Sequence, residues 1–529
     1  MSSLGSGTVK LMVGRIASMA IGFGTAPIVY RIFGPTEVGA AAVIESIVLW
    51  VTAFSCLGYA SAIPLSAGRG ETRALIRLCL LLTFVLLLPV LLLTWLGRST
   101  LADLMGNPAI GRLIWLVPVL FSVVSLRFII SFAFSKERLF GWLAFAQSSD
   151  TAIARPVQIV LGWAAGGSAV FILLGTVVGG ITSLAVAAFM FLPILLKEDE
   201  DDNHPSPTLA DVARHHRQFP KAHMWSLVLQ MTSRSLPVLL MGAFFSMSAV
   251  GYYNQSRKLL MLPLTILAYS IAAVFYPEAA TEWRKKGTVS DSFSTTARIL
   301  VPTCIFPIMA VGLMGPLIFK TFLGSMWYEA GVYAQILAPW VLVALFASPA
   351  AKVFLIVGRA DLLVVFNLFL MVLRATALVF GKGAGLVMSP VAMTFFTDRL
   401  SSNFPAAAAI LESVRPAVLI AGKWFDGPRI AVLLFSGASI AVHLPMLFTA
   451  MRMGHVRRRT FVSFFAREAL RALIVLAPPV LIYWIGNMPW LALGVLCASG
   501  VVHYALLVNR EPAAKQLVSD FMNRFLKRA

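Results

Sequence analysis

The sequence predicts an all-α membrane protein of about fourteen transmembrane helices, arranged as two pseudo-symmetric six-helix lobes followed by two C-terminal helices. Three observations predict it. Apolar residues make up 59% of the 529-residue chain and charged residues only 12%, with a mean hydropathy of +0.85, whereas a water-soluble chain needs far more charge to stay dispersed. Apolar runs recur from one end to the other, each near the ~20 residues that cross ~30 Å of hydrocarbon as a helix. The ~10-residue alternating segments of a membrane β-barrel are absent.

The spans follow in order. The first covers 11–32, the second 37–61, the third 75–96, the fourth 112–134, the fifth 142–163 and the sixth 168–195. A polar stretch, KEDEDDNHPSPTLADVARHHRQFPK at 197–221, separates them from the seventh at 223–245, the eighth at 256–277, the ninth at 297–318, the tenth at 332–356 and the eleventh at 361–380. After an interruption at 381–428 come the twelfth at 429–451, the thirteenth at 468–486 and the fourteenth at 489–508. The predicted organisation is therefore an N-terminal lobe (1–196), a linker (197–221), a C-terminal lobe (222–451) with an insertion at 381–428, and a last segment (452–529). The last segment ends in EPAAKQLVSDFMNRFLKRA, which reads as a basic amphipathic helix on the membrane surface. The opening MSSLGSGTVKLMVGRIASMAIGFG has no convincing small-residue cleavage site, so the first span is expected to be retained.

The net charge of +20 would suggest nucleic acid in a soluble protein. Here Lys and Arg gather in alternate loops: Arg69, Arg73 and Arg77; Lys136 and Arg138; Arg214, Arg217 and Lys221; Arg284, Lys285 and Lys286; Arg457, Arg458 and Arg459. The opposite loops SMSAV, AAGGS and NMP hold none. The positive-inside rule then puts both termini in the cytoplasm, as an even span count requires. The interruption at 381–428 falls outside, although it and its edge hold Lys382, Arg399, Arg415, Lys423 and Arg429; its apolar pieces are too short to span and read as surface-lying or re-entrant.

The two halves resemble each other. Span one ends APIVYRIFGPTEVG and span seven ends LPVLLMGAFFSMSAVG, so Pro27 and Gly39 correspond to Pro237 and Gly251. The exits around Arg138 and Arg359 match in the same way, and the two offsets agree to within the drift of a diverged duplication. An even number of helices per copy gives parallel repeats, which rock against one another around a shared cavity.

RIFGPTEVG, LGYASAIPLS, FPKAHMWSLVLQMTSRSLPVLL, AVGYYNQSRKLLMLPLTIL, AVFYPEAA and LAPWVLVALFASP leading to GRADLL, in this order and spacing, resemble the polysaccharide transporter family. Its members include the Wzx-type flippases of the multidrug/oligosaccharidyl-lipid/polysaccharide (MOP) superfamily. The resemblance covers about 8–380 and resumes over 429–508. It departs at 381–428, where family members connect spans eleven and twelve briefly. It implies a flippase of the bacterial inner membrane that passes an oligosaccharide on undecaprenyl diphosphate to the outer leaflet by alternating access. It also implies a proton or sodium gradient as the drive and no cofactor. The partners it implies are the lipid-linked oligosaccharide, membrane lipids and polysaccharide polymerase or assembly proteins, without nucleic acid. O-antigen, exopolysaccharide or lipopolysaccharide assembly is the context it suggests. A drug or small-solute exporter of the same superfamily is the second reading. An enzyme of the polymerase or ligase type is the third, and it predicts a large external catalytic loop without duplicated halves.

A diphosphate cannot cross hydrocarbon cheaply, so its carrier needs fixed positive charge and hydrogen-bond donors inside the membrane. Arginine suits best, since its fork pairs with phosphate oxygens and stays charged. Arg127, Arg155, Arg234 and Arg374 lie well inside spans four, five, seven and eleven and are the candidate head-group residues. Arg15, Arg257 and Lys258 sit nearer helix ends, where snorkelling explains them equally well. Glu45 and Asp150 are the intramembrane carboxylates and the candidate ion-coupling groups. Asp150 and Arg155 are poorly placed to share a helix face, so each is expected to pair across helices. Helix breakers at Gly22, Gly24, Pro27, Pro237 and Pro263 read either as places where freed backbone groups face protein or water or, equally, as neutral kinks.

Other signals carry no chemistry. Asp199-Glu200-Asp201 mimics a metal-dependent glycosyltransferase pattern but lies in a solvated acidic run. His204, His215 and His216 have no metal-site spacing, and Cys56, Cys79, Cys304 and Cys497 sit inside apolar runs as small hydrophobes. There is no Walker A motif.

Overall fold

The structure, a computed structural model, describes residues 2–196, 207–387, 427–486 and 488–510. Every regular element among them is helical. α1 spans Ser2–Ile32, α2 Pro35–Thr52, α3 Arg69–Leu104, α4 Pro108–Leu113, α5 Val117–Lys136, α6 Phe140–Ala165 and α7 Ala169–Leu196. A short α8, Leu209–His215, precedes α9 at Met224–Phe244 and α10 at Met247–Lys286. Then follow α11 (Ser290–Leu323), α12 (Tyr328–Ala344), α13 (Ala347–Ile356), α14 (Ala360–Val387), α15 (Gly427–Met453), α16 (Arg458–Trp484) and α17 (Pro489–Arg510).

Ten segments are long and apolar enough to cross a membrane, with α4 leading into α5 and α12 into α13 as single crossings. The other four of the fourteen are α1, α6, α10 and α16, which run for 31, 26, 40 and 27 residues. In α6 the charges Asp150 and Arg155, and in α16 Arg467, Glu468 and Arg471, dilute the hydropathy. Each span read from hydropathy thus has its long helix, and the chain is a multi-pass membrane protein. α3, with 36 residues, and α10 are longer than a bilayer's hydrocarbon requires. The insertion begins as the end of α14 and closes at Gly427. Its middle, the acidic run with Asp199-Glu200-Asp201 and His204, and the tail beyond Arg510 lie outside the described residues.

The chain packs as two units, Met1–Asn254 and Gln255–Ala529. In the first, α6 packs between α1 and α7, α2 packs on α5, α7 and α9, and α3 packs on α5 and α8. Its core gathers Ile63, Leu75, Cys79 and Phe134, all fully buried. In the second, α11 packs on α12, α16 and α17, and α15 packs on α12, α13 and α14. Two small apolar clusters, around Phe306 with Leu476 and around Met314 with Ala492, join α16 and α17 to α11. α11 breaks at Met314 (φ −123°, ψ 18°) just before Pro316. A proline disfavours helical geometry in the residues before it and removes a hydrogen bond, which accounts for the kink.

The sequence motifs build the joints between helices. In RIFGPTEVG, Pro35 opens α2, where its missing N–H costs nothing. Glu37 accepts the Ala169 N–H at 2.7 Å, placing negative charge at the head of α7. A Cβ on Gly39 would lie 1.8 Å from the Met247 carbonyl oxygen, and one on Gly251 would lie 2.0 Å from that of Pro35. The start of α2 and the start of α10 therefore touch reciprocally, backbone to backbone, at the positions matched in the two halves of the sequence. In LGYASAIPLS the chain turns through Leu57 (φ 47°) and Gly58 (φ 81°) into a 3-10 helix at Tyr59–Leu65. This turn receives the end of the linker and the segment after it. Tyr59 Oη donates to the Ala213 carbonyl at 3.1 Å, and the His223 ring lies 2.9 Å from Ser61 Oγ.

Candidate functional site

The candidate residues divide between the two units. In the first, α5, α6 and α7 hold a polar core in an apolar setting. Arg127 on α5 pairs with Asp150 on α6 at 2.8 Å, so the carboxylate finds its partner across helices rather than on its own. Arg155 is near enough to act on the same carboxylate through its charge. Its guanidinium donates to Gln158 Oε1 at 3.0 Å, and the Gln158 amide donates to the Ile172 carbonyl at 2.9 Å. A chain of donors thus ties α6 to α7.

This core exists because α7 has no side chains where α6 passes. A Cβ on Gly179 would stand 2.5 Å from the Asp150 carbonyl and 2.7 Å from its carboxylate, one on Gly175 2.3 Å from Gln158 Cγ, and one on Gly180 2.4 Å from Val123. Small residues spaced by a helical turn let membrane helices approach closely, so that polar side chains bond across them. A cavity of about 300 Å³ opens beside Arg127, lined by Ser131, Gln147 and Ser183 among apolar groups. It is large enough for water, and these side chains offer water the polar partners it needs.

The two remaining first-unit candidates are differently placed. Glu45 is half-buried on α2, and Arg234 is exposed on α9. Neither has a hydrogen-bond or ion-pair partner among the described residues. α9 is held to α2 nearby, where Trp50 Nε1 donates to Thr232 Oγ1 at 2.9 Å.

In the second unit Arg374 is engaged rather than free. Its guanidinium lies 4.9 Å from the Trp340 ring and 4.8 Å from that of Phe435, and its Nε donates to Ser439 Oγ at 2.8 Å. His443 Nδ1 lies 2.7 Å from the Ser439 carbonyl on the same helix. Arg429, read from the sequence as a loop-edge charge, forms a two-pronged pair with Glu329 at 2.5 and 2.6 Å. Lys258 is exposed and Arg257 half-buried. The side chain of Arg15 lies outside the described part.

Sequence reasoning missed Gln158, the Arg429 pair and the α7 glycines, of which only the run GTVVGG at 175–180 was visible as a pattern. It also missed five buried polar atoms that lack a partner among the described residues: Ser125 Oγ, Ser235 Oγ, Gln255 Oε1, Arg257 Nε and Trp340 Nε1. Buried polar atoms are nearly always satisfied, so these five are open donors or acceptors within the described part.

Residues 28–331 match the family model described as "Polysaccharide biosynthesis protein". The chain belongs to this polysaccharide biosynthesis family. No curated protein matches the sequence. Among solved structures, the family member resembles the lipid II flippase MurJ in an inward closed conformation, with a TM-score of 0.62, 13% identity, and 94% of this chain and 100% of that one covered. It also resembles an inward-facing multidrug resistance MATE transporter of the MOP superfamily, with a TM-score of 0.53, 14% identity, and 84% and 98% covered. A MOP superfamily transporter from Pyrococcus furiosus Vc1 gives a TM-score of 0.50, 12% identity, and 84% and 94% covered. The family member therefore has the MOP fold, as its motifs led one to expect.

Proposed function

We propose that the protein is a flippase that moves a polyprenyl-diphosphate-linked oligosaccharide across the bacterial inner membrane by alternating access, without covalent chemistry. The observation that carries this reading is the charge inside the spans. Among the candidate residues four arginines stand against two carboxylates, and Arg234 has no compensating partner among the described residues. A cationic interior suits a diphosphate and repels cationic drugs. The family description and the likeness to a lipid II flippase point the same way.

In this reading Arg155 and Arg234 hold phosphate oxygens, and the orphaned Ser, Gln and Trp atoms bond the sugar or its water. Arg127 and Asp150 supply the coupling step. While Asp150 is charged, it occupies Arg127; a proton on Asp150 frees the guanidinium for the substrate. Glu45 is the second coupling candidate. Both termini lie in the cytoplasm, and Arg374 braces the second unit beside the path of the head group.

The test uses purified protein in liposomes with a fluorescent, short-chain polyprenyl diphosphate saccharide, and follows label reaching the opposite leaflet. Wild type accelerates transfer, and Arg155→Ala and Arg234→Ala each slow it roughly 10-fold, the value of one charge-assisted hydrogen bond. Asp150→Asn removes the dependence on an imposed proton gradient. Unchanged rates in both arginine variants, or transport of cationic dyes instead, would sink the proposal.

A further inference from the structure

The segment between the two predicted lobes carries His215 and His216, whose spacing alone makes no metal site. The fold supplies what the spacing lacks, because α8 docks against the head of α3 and brings Glu71 to the pair. Glu71 Oε1 lies 2.8 Å from His216 Nε2, and one donor atom from each of Glu71, His215 and His216 lies within 4.8 Å of the other two. The geometry points to a binding site, between α8 and α3, for a divalent transition-metal ion, of which Zn²⁺ is the type.

Three features make this a built site. Glu71 is held from behind, since its Oε2 accepts the Ala67 N–H at 2.6 Å, and this leaves Oε1 facing the histidines. His216 is 6% exposed, with its ring against Phe219 at 5.9 Å and across His215 at 4.8 Å in an edge-on arrangement. α8 ends at His215, and His216 takes the non-helical cap conformation, so two consecutive side chains can converge instead of diverging around a helix.

The donor set is the one zinc prefers, two imidazoles and a carboxylate, with a fourth position for water. Bonds of ~2.0–2.2 Å need donors ~3.3 Å apart. The Glu71–His216 pair already lies inside that distance. His215, exposed, closes the remainder by rotating its ring. Metal ligands bind in their deprotonated form, so affinity falls with falling pH. The surroundings are ordered independently of the ion through the Tyr59–Ala213 and His223–Ser61 contacts. Loss of a ligand therefore does not release α8.

The experiment is a Zn²⁺ titration of the full chain, without an affinity tag, in detergent against a chromophoric chelator. The expected result is one equivalent bound in the micromolar range or tighter. Affinity should fall at least ~10-fold in His215→Ala and in Glu71→Gln and stay unchanged in His204→Ala. His215→Ala decides the matter if Glu71→Gln folds poorly, because His215 is exposed and gives up only its edge-on ring contact with His216. No stoichiometric binding, or binding that survives His215→Ala undiminished, overturns the site and leaves an ordinary Glu71–His216 hydrogen bond.

Discussion

Replacing Gly179 by alanine tests whether the polar core of the first unit depends on bare backbone in α7. The added Cβ would stand 2.5 Å from the Asp150 carbonyl oxygen, 2.7 Å from its carboxylate oxygen and 2.8 Å from Ala154 Cβ. Carbon contacts are comfortable at ~3.5–4.0 Å, so α6 and α7 must separate by about 1 Å. Two of the three obstacles belong to backbone or an alanine methyl and cannot swing aside. Overpacking of this kind costs ~1–3 kcal/mol, and the shift also carries Asp150 away from Arg127. The control is Gly437→Ala on α15, where a Cβ meets nothing within 4 Å and the change favours the helix by up to ~1 kcal/mol. Thermal unfolding of the purified protein in detergent compares the two. Gly179→Ala should melt well below wild type, and Gly437→Ala at or above it. If both melt together, close packing of α6 on α7 does not hold the site.

Arg127→Ala strands the Asp150 charge in the membrane and should destabilise by on the order of 3 kcal/mol, while Arg127→Ala with Asp150→Ala recovers much of that loss in the same melt. Arg374→Lys keeps the charge but loses the planar stack on Trp340 and Phe435, and about 1–2 kcal/mol of stability should go with it. The Thr208 hydroxyl and N–H hold the Asp211 carboxyl below the usual carboxylate range, with the hydroxyl bond the larger influence. A lowered native pKa means the α8 cap is fully formed above the unfolded carboxylate value of about 4 and is lost as pH falls through the lowered one. Hydrogen exchange in α8 should therefore stay slow above that value and accelerate at more acid pH. Thr208→Ala keeps the N–H bond but loses the hydroxyl and should weaken this dependence, and a pH-independent wild type would refute it.

The membrane topology was legible because hydrocarbon imposes a length and a polarity that any crossing must meet. The helices that fail a simple apolar test, such as α6 and α16, fail it because Asp150, Arg155, Glu468 and Arg471 sit within them. The partners of those charges were not legible. Arg127 and Asp150 are neighbours only because α5 and α6 run side by side with the right rotation. Glu71 meets His216 only because α8 folds back on α3. Arg429 looked like one more loop charge, since nothing local in the sequence reveals Glu329 opposite it. Hydropathy records which residues enter the membrane, whereas the direction each one faces follows from packing between helices.

The reciprocal contact of Gly39 and Gly251 has an evolutionary corollary. Each hydrogen that stands in for a side chain is pressed against the other helix's carbonyl, so neither site has a bulky neighbour that could be trimmed to accommodate a larger residue. Change at one position cannot be rescued by change at the other. The two glycines should therefore be immutable one by one and silent in any search for correlated substitution, although they belong to one of the tightest joints in the molecule.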